Sequence, residues 1–185
     1  MAKHPLIIDV DALPEHGQEV SLFLSAGEVA ARLQEWGSGA VDVLTPLAGE
    51  ARIQPSGGDV FVSGSIGARV RVRCVRCLEP FEHRVEETFH LTFVEDFHLP
   101  PGEHELHPED LDLVPLAERT VDLARTALEQ LLLGLPAHPV CREDCAGLCP
   151  RCGANRNLES CNCREKAPDP RWEALARWRP KRSAG

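Results

Sequence analysis

Four close cysteine pairs punctuate this chain: Cys74 with Cys77, Cys141 with Cys145, Cys149 with Cys152, and Cys161 with Cys163. Eight thiols so spaced make two sets of four, the donor count for two tetrahedral zinc ions. A pair separated by two or three residues presents both sulfurs to one ion from a single turn. A disulfide framework is the competing reading; it needs an oxidising compartment and usually a smaller chain than 185 residues. The amino terminus offers only the apolar run Leu6-Ile7-Ile8 before Asp9, too short for an export signal, and no stretch approaches the ~20 apolar residues of a membrane span. The expectation is a cytoplasmic protein with reduced thiols and two structural zinc ions.

The pairs combine into two sites in three ways, and the sequence leaves the choice open. Local closure favours Cys149, Cys152, Cys161 and Cys163 around one ion, leaving Cys141 and Cys145 to meet Cys74 and Cys77 across 63 intervening residues. That partition would staple the carboxyl-terminal segment onto the rest of the chain. Moving Cys149 and Cys152 into the first site is the next candidate. Cys149-Pro-Arg-Cys152-Gly has the form of a zinc knuckle, in which Pro150 fixes one backbone angle and Gly153 is free to take a positive φ.

With 43% hydrophobic and 26% charged residues the composition is that of a globular protein, long enough for one ordinary domain and a small appendage. The net charge of −9 would become about −13 with two tetrathiolate zinc sites, each leaving about −2, which argues against a generic polyanion binder. The distribution is uneven. Residues 86–130 carry 2 basic and 12 acidic groups, whereas residues 141–185 carry 10 and 6.

Short β-prone runs at Leu6–Val10 and Val20–Leu24 precede a helix that Ser25 and Glu28 open as a capping box and Gly37 stops, with Val29, Leu33 and Trp36 on one face. Strands are then expected at Val41–Leu47, Ala51–Gln54, Val60–Ile66, Ala68–Cys74 and Phe81–Phe93, with Gly67 read as a turn. Residues 95–112 are acidic and proline-broken, an exposed loop in which His98, His104 and His107 are solvated rather than metal ligands. The apolar spacing from Leu116 to Leu135 predicts a long helix over Pro115–Leu133, ended by Gly134 and Pro136. Asp169 and Pro170 start a short last helix carrying Trp172, Leu175 and Trp178. The expected architecture is α+β: an antiparallel β-sheet packed by a long helix over residues 1–140, then a cysteine-rich zinc-knuckle segment and short basic helix over 141–185.

Strict alternation in Ala68-Arg-Val-Arg-Val-Arg-Cys74 places Arg69, Arg71 and Arg73 on one face, where guanidiniums can grip phosphates; Arg76 and Arg84 extend the patch. Arg171 and Arg177 lie among tryptophans, a mixture that suits RNA bases and phosphates. The competing readings are cross-strand pairing with carboxylates for the first group and a docked helix with a frayed tail for the second. No His-Glu-x-x-His, glycine-rich phosphate loop or nucleophile elbow is present, and tetrathiolate zinc is closed and inert, so the chain is not read as an enzyme.

Cys74-Val-Arg-Cys77-Leu, the apolar helix ending Leu-Pro, Cys-x3-Cys-Ala-Gly-Leu-Cys-Pro-Arg-Cys-Gly-Ala-Asn, Cys-x-Cys and Asp-Pro-Arg-Trp together resemble the bacterial YceD family, the large ribosomal RNA subunit accumulation proteins. After the knuckle this chain has Asn155-Arg-Asn157-Leu158 where that family usually has Asn-Leu-Asn. The resemblance implies a role in accumulation or processing of large-subunit ribosomal RNA, with that RNA or its precursor as partner. A basic ribosomal protein held by the acidic middle is the alternative partner.

Overall fold

The computed structural model describes residues 6–37, 41–95 and 112–163, together with Arg171. The chain is mixed α+β, mostly sheet, with two α-helices among the described residues. β1 (Ile7–Asp9) leads through a 3-10 turn at Val10–Ala12 into β2 (Gln18–Leu24), α1 (Ala26–Glu35), β3 (Asp42–Val43), β4 (Leu47–Ser56), β5 (Asp59–Arg73) and β6 (Pro80–Val94). β7 (Leu113–Pro115), β8 (Thr120–Asp122) and α2 (Leu123–Leu133) complete the regular elements. The main sheet runs β2-β4-β5-β6-β7 with β3 also on β5, antiparallel except for the β6–β7 pair, while β1 and β8 pair separately.

The capping box forms as its residues predict: Glu28 N donates to Ser25 Oγ at 3.3 Å and Ser25 N to Glu28 Oε2 at 2.8 Å. Period-two alternation then fixes the faces of the long strands. Val60, Val62, Ile66, Val70 and Val72 turn inward on β5, and Val85, Phe89 and Phe93 on β6, joining Val29 and Leu33 of α1 and Leu128 and Leu131 of α2 in one core. Full burial of each such leucine contributes about 2 kcal/mol.

The strand boundaries differ from the sequence reading at two glycines. Gly67 is not a turn; it sits inside the fifteen-residue β5, between Ala48 and Glu86. The break expected near Gly49 falls instead at Thr45-Pro46, where proline has no N–H for the ladder and Thr45 Oγ1 accepts from Arg69 N at 2.8 Å. Gly49 belongs in its strand because a Cβ there would lie 1.9 Å from the Ser65 carbonyl oxygen.

The long helix is also corrected. Only Leu123–Leu133 is helical, and the stretch before it is β7, a tight turn and β8. Glu118 and Arg119 take φ of 52° and 50°, which no helix accepts, and this returns Thr120–Asp122 to pair with β1. Asp122 then caps α2 by accepting from Arg125 N at 2.9 Å. The loop with His98, His104 and His107 and the expected helix with Trp172 and Trp178 lie outside the described residues. Among the described residues no helix is long and apolar enough to cross a membrane.

Candidate metal centres

The sulfurs gather in the locally closed partition: Cys74, Cys77, Cys141 and Cys145 in one group, Cys149, Cys152, Cys161 and Cys163 in the other, each group with all sulfurs within 4.8 Å of one another. No disulfide joins any of the eight. In the first group Cys74 Sγ is 3.8 Å from Cys145 Sγ, and Cys77 Sγ is 3.7 Å from Cys141 Sγ. Four sulfurs at ~2.3 Å from one ion stand about 3.8 Å apart along each tetrahedral edge, so the spacing is that of a tetrathiolate cage. Each group can hold one metal ion, and soft thiolates in a tetrahedron suit zinc.

Both groups are built on the same turn. β5 delivers Cys74 to the sheet's end; Cys74 N then donates to the Glu79 carbonyl at 3.0 Å and Leu78 N to the Cys74 carbonyl at 2.9 Å. At the second turn Cys149 N donates to Ala154 O at 2.8 Å and Gly153 N to Cys149 O at 2.9 Å. The residue four past each first cysteine is left-handed, Leu78 at φ 62° and Gly153 at φ 76°.

The thiols do not titrate alike. Burial pushes Cys74 up, but the backbone amides of Cys141, Cys77 and Arg76 outweigh it and hold the thiol at about 6. Amides of Cys152 and Arg151 likewise hold Cys149 at about 6. Burial and then the sulfurs of Cys145, Cys77 and Cys74 push Cys141 up to about 12, and the hydrogen bond with Cys152, followed by burial, pushes Cys163 up to about 12. Cys145 is also lowered despite its burial, with Asn157 and the Gly147 amide donating to it, so the inner group presents two more readily ionised thiols and the outer group Cys149, beside raised thiols that must surrender protons to a metal.

Two asparagines and an arginine tie the groups together. Asn157 Nδ2 donates to Cys145 Sγ at 3.4 Å and to Asn155 Oδ1 at 2.8 Å, while Asn157 Oδ1 accepts from Ala146 N at 2.8 Å and Arg142 Nη2 at 2.7 Å. Arg76 Nη1 donates to the carbonyls of Glu143 and Cys145 at 3.0 and 3.2 Å, and Leu148 N returns to Arg76 O at 2.9 Å. Sequence reasoning assigned no role to Asn155 or Asn157. The available signal was a pair of short amides inside a cysteine run, where a sulfur needs donors.

The expected RNA-contacting residues divide. Arg69, Arg71 and Arg73 are all exposed on the sheet's outer face. Arg84 stands beside Arg69, but Glu82 and Asp42 flank Arg71, Arg69 pairs with Glu82 at 3.8 Å, and Arg84 pairs with Glu86. Cross-pairing with carboxylates is therefore real on this face, though exposed pairs of this kind contribute at most about 1 kcal/mol and exchange readily. Arg76 is not part of that row; it clamps the loop holding Cys145. Arg171 is exposed, and Arg177 lies outside the described residues.

Comparison with known proteins places the chain. An uncharacterised protein of Mycobacterium tuberculosis is 32% identical over 126 residues, covering 68% of this chain and 58% of the relative. One of Mycobacterium leprae is 28% identical over 141 residues, covering 76% and 59%. A maize protein named large ribosomal RNA subunit accumulation protein YCED homolog 1, chloroplastic, is 25% identical over 150 residues, covering 66% and 50%. The chain thus spans between half and three-fifths of the length of these relatives. No solved structure matches it. Residues 62–177, which span both cysteine groups, match the model of the large ribosomal RNA subunit accumulation protein YceD, and the chain belongs to that family.

Proposed function

We propose that the chain is a non-enzymatic, cytoplasmic factor in the accumulation and processing of large-subunit ribosomal RNA, with a structural zinc ion in each cysteine group and RNA contacted through Arg69, Arg71 and Arg73. Arg171 and Arg177 add to that contact from the basic tail. The family supplies the process. The observation that carries the molecular reading is the exposed arginine row on β5, a strand whose end runs directly into the first cysteine turn. The sheet over residues 1–140 and the segment 141–185 then act as two units, stapled by Cys74, Cys77, Cys141 and Cys145. Four-thiolate coordination leaves no position for a substrate, which supports a structural rather than catalytic use of the metal.

The test is salt-dependent binding to a large-subunit ribosomal RNA fragment. Replacing Arg69, Arg71 and Arg73 with Glu should cost at least tenfold in affinity and flatten the slope of log K against log salt by about 2, since each phosphate contact in single-stranded RNA contributes about 0.7. Unchanged binding would sink the RNA reading. A second reading, an adaptor for a basic ribosomal protein, is favoured by the net charge of −9 and by the carboxylates interleaved with the arginines. Co-purification of such a protein, lost when the acidic residues of 103–112 are neutralised, would decide for it.

A further inference from the structure

The two cysteine groups share a turn but not a surrounding. In the inner group Cys74, Cys77 and Cys145 are 0%, 4% and 5% exposed and Cys141 is half-buried, with Phe81 and Val140 packed against them. In the outer group Cys149 is buried, Cys161 is half-buried, and Cys152 and Cys163 are exposed. The sulfurs of these two exposed residues lie within 4.8 Å of each other, so together they form the exposed side of the cage. Thiolates react with oxidants according to their access to solvent, and apolar cover slows that reaction.

We propose that Cys152 and Cys163 are a redox-sensitive corner of the outer site, which hydrogen peroxide converts to a disulfide with loss of that ion while the inner site is kept. The inference rests on the reading that both groups hold zinc. One corner thiolate attacks a peroxide oxygen; the O–O bond breaks, a sulfenic acid forms, and the departing hydroxide is protonated to water. The second thiolate attacks the sulfenyl sulfur, the S–O bond breaks, the S–S bond forms, and a second hydroxide leaves as water. The two sulfurs supply the two electrons that reduce the peroxide. Cys149 and Cys161 alone no longer make a closed cage, so the ion departs; a dithiol reductant, itself oxidised to a disulfide, restores both thiols.

The backbone permits this closure. The sulfurs, within 4.8 Å, must approach to about 2.05 Å, and residues 156–163 lie in no strand or helix. Phe81 and Val140 pack against the inner group, none of whose four cysteines is exposed. The consequence falls on the carboxyl-terminal side. Cys163 is the last cysteine of the sequence, so oxidation opens the cage at its carboxyl-terminal cysteine while the inner staple still joins residues 141–145 to the sheet.

The test uses the full chain loaded with two equivalents of zinc and treated with hydrogen peroxide beside a chromophoric chelator. One ion should be released at least tenfold faster than the other, peptide mapping should find a Cys152–Cys163 disulfide, and dithiothreitol with zinc should restore two ions per chain. Equal release rates, prior oxidation of Cys74 or Cys145, or a first disulfide joining other cysteines would overturn the proposal. Failure to bind any zinc would defeat the underlying metal reading instead, and this inference with it.

Discussion

Two matching turns hold the two cysteine groups, yet one is roofed by Phe81 and Val140 while the other keeps two sulfurs in solvent. The turn sets where the sulfurs point; the packing around it sets what breaks when they are lost. The inner group joins Cys74 and Cys77 at the end of β5 to Cys141 and Cys145, so it holds distant chain together, whereas the outer group closes over 15 residues from Cys149 to Cys163.

The largest expected effect follows from that contrast. Cys145→Ala should abolish the inner ion, detach residues 141–163 from the sheet and lower the melting temperature by more than about 10 °C, the scale of several kcal/mol in a chain of this size. Cys163→Ala should lose one ion and shift the midpoint by less than about 5 °C. Native mass spectrometry and thermal melting read both, and equal shifts would erase the distinction between the groups.

Acidity should weaken metal binding in both groups. Cys77 and Cys141 in one, Cys161 and Cys163 in the other, are raised above the ordinary 9.0 and so remain protonated below it. Each zinc must displace two such protons, so log affinity should rise with pH by at least about 2 per unit between about pH 6 and 8. Competition with a chelator across that range measures it. A slope well below 2 in either group would show that its raised thiols are already ionised before a metal arrives.

Smaller effects probe the supports. Asn157→Ala removes the acceptor for the exposed Ala146 N and the donor to Cys145 Sγ, and should cost about 0.5–1.5 kcal/mol in denaturant unfolding. Asn157→Asp keeps the accepting oxygen but not the donor, and should weaken the inner ion selectively. Smallest is an exchange at the matching left-handed positions. Leu78→Gly should stabilise by at most about 1 kcal/mol, because it relieves φ 62° and Leu78 is already 53% exposed. Gly153→Ala should destabilise by about 1 kcal/mol although no atom lies within 4 Å of the added Cβ, which makes backbone angle the sole cause.

Much of the site was legible because its signals are local. Cysteine spacing marked both turns, Gly153 marked the left-handed position of one, and Ser25 with Glu28 marked the start of α1. What escaped depends on contacts between distant segments. Leu116 and Val121 fit a helical stripe as well as an extended pair, and only β1, more than 100 residues earlier, decides for β8. Glu118 and Arg119 turn the chain left-handed without a glycine to announce it. Gly67 read as punctuation, and nothing local marked Gly64 as more than a strand residue, yet a Cβ at Gly64 would stand 2.7 Å from the Phe89 ring, a packing demand no local pattern carries. Asn157 is invisible until Cys145 is brought beside it.

The inner group also imposes an order on the birth of the protein. Its first two thiols precede its last two by 63 residues, and β6, α2 and the segment between them are made in that interval. At about 5–20 residues per second, a translating chain carries Cys77 for roughly 3 to 13 seconds before Cys141 exists. During that time the first turn is a two-sulfur half-cage, able to gather a metal but unable to enclose it. Truncated chains that stop short of Cys141 remain in that condition, and a complete inner cage becomes a molecular record that synthesis passed Cys145.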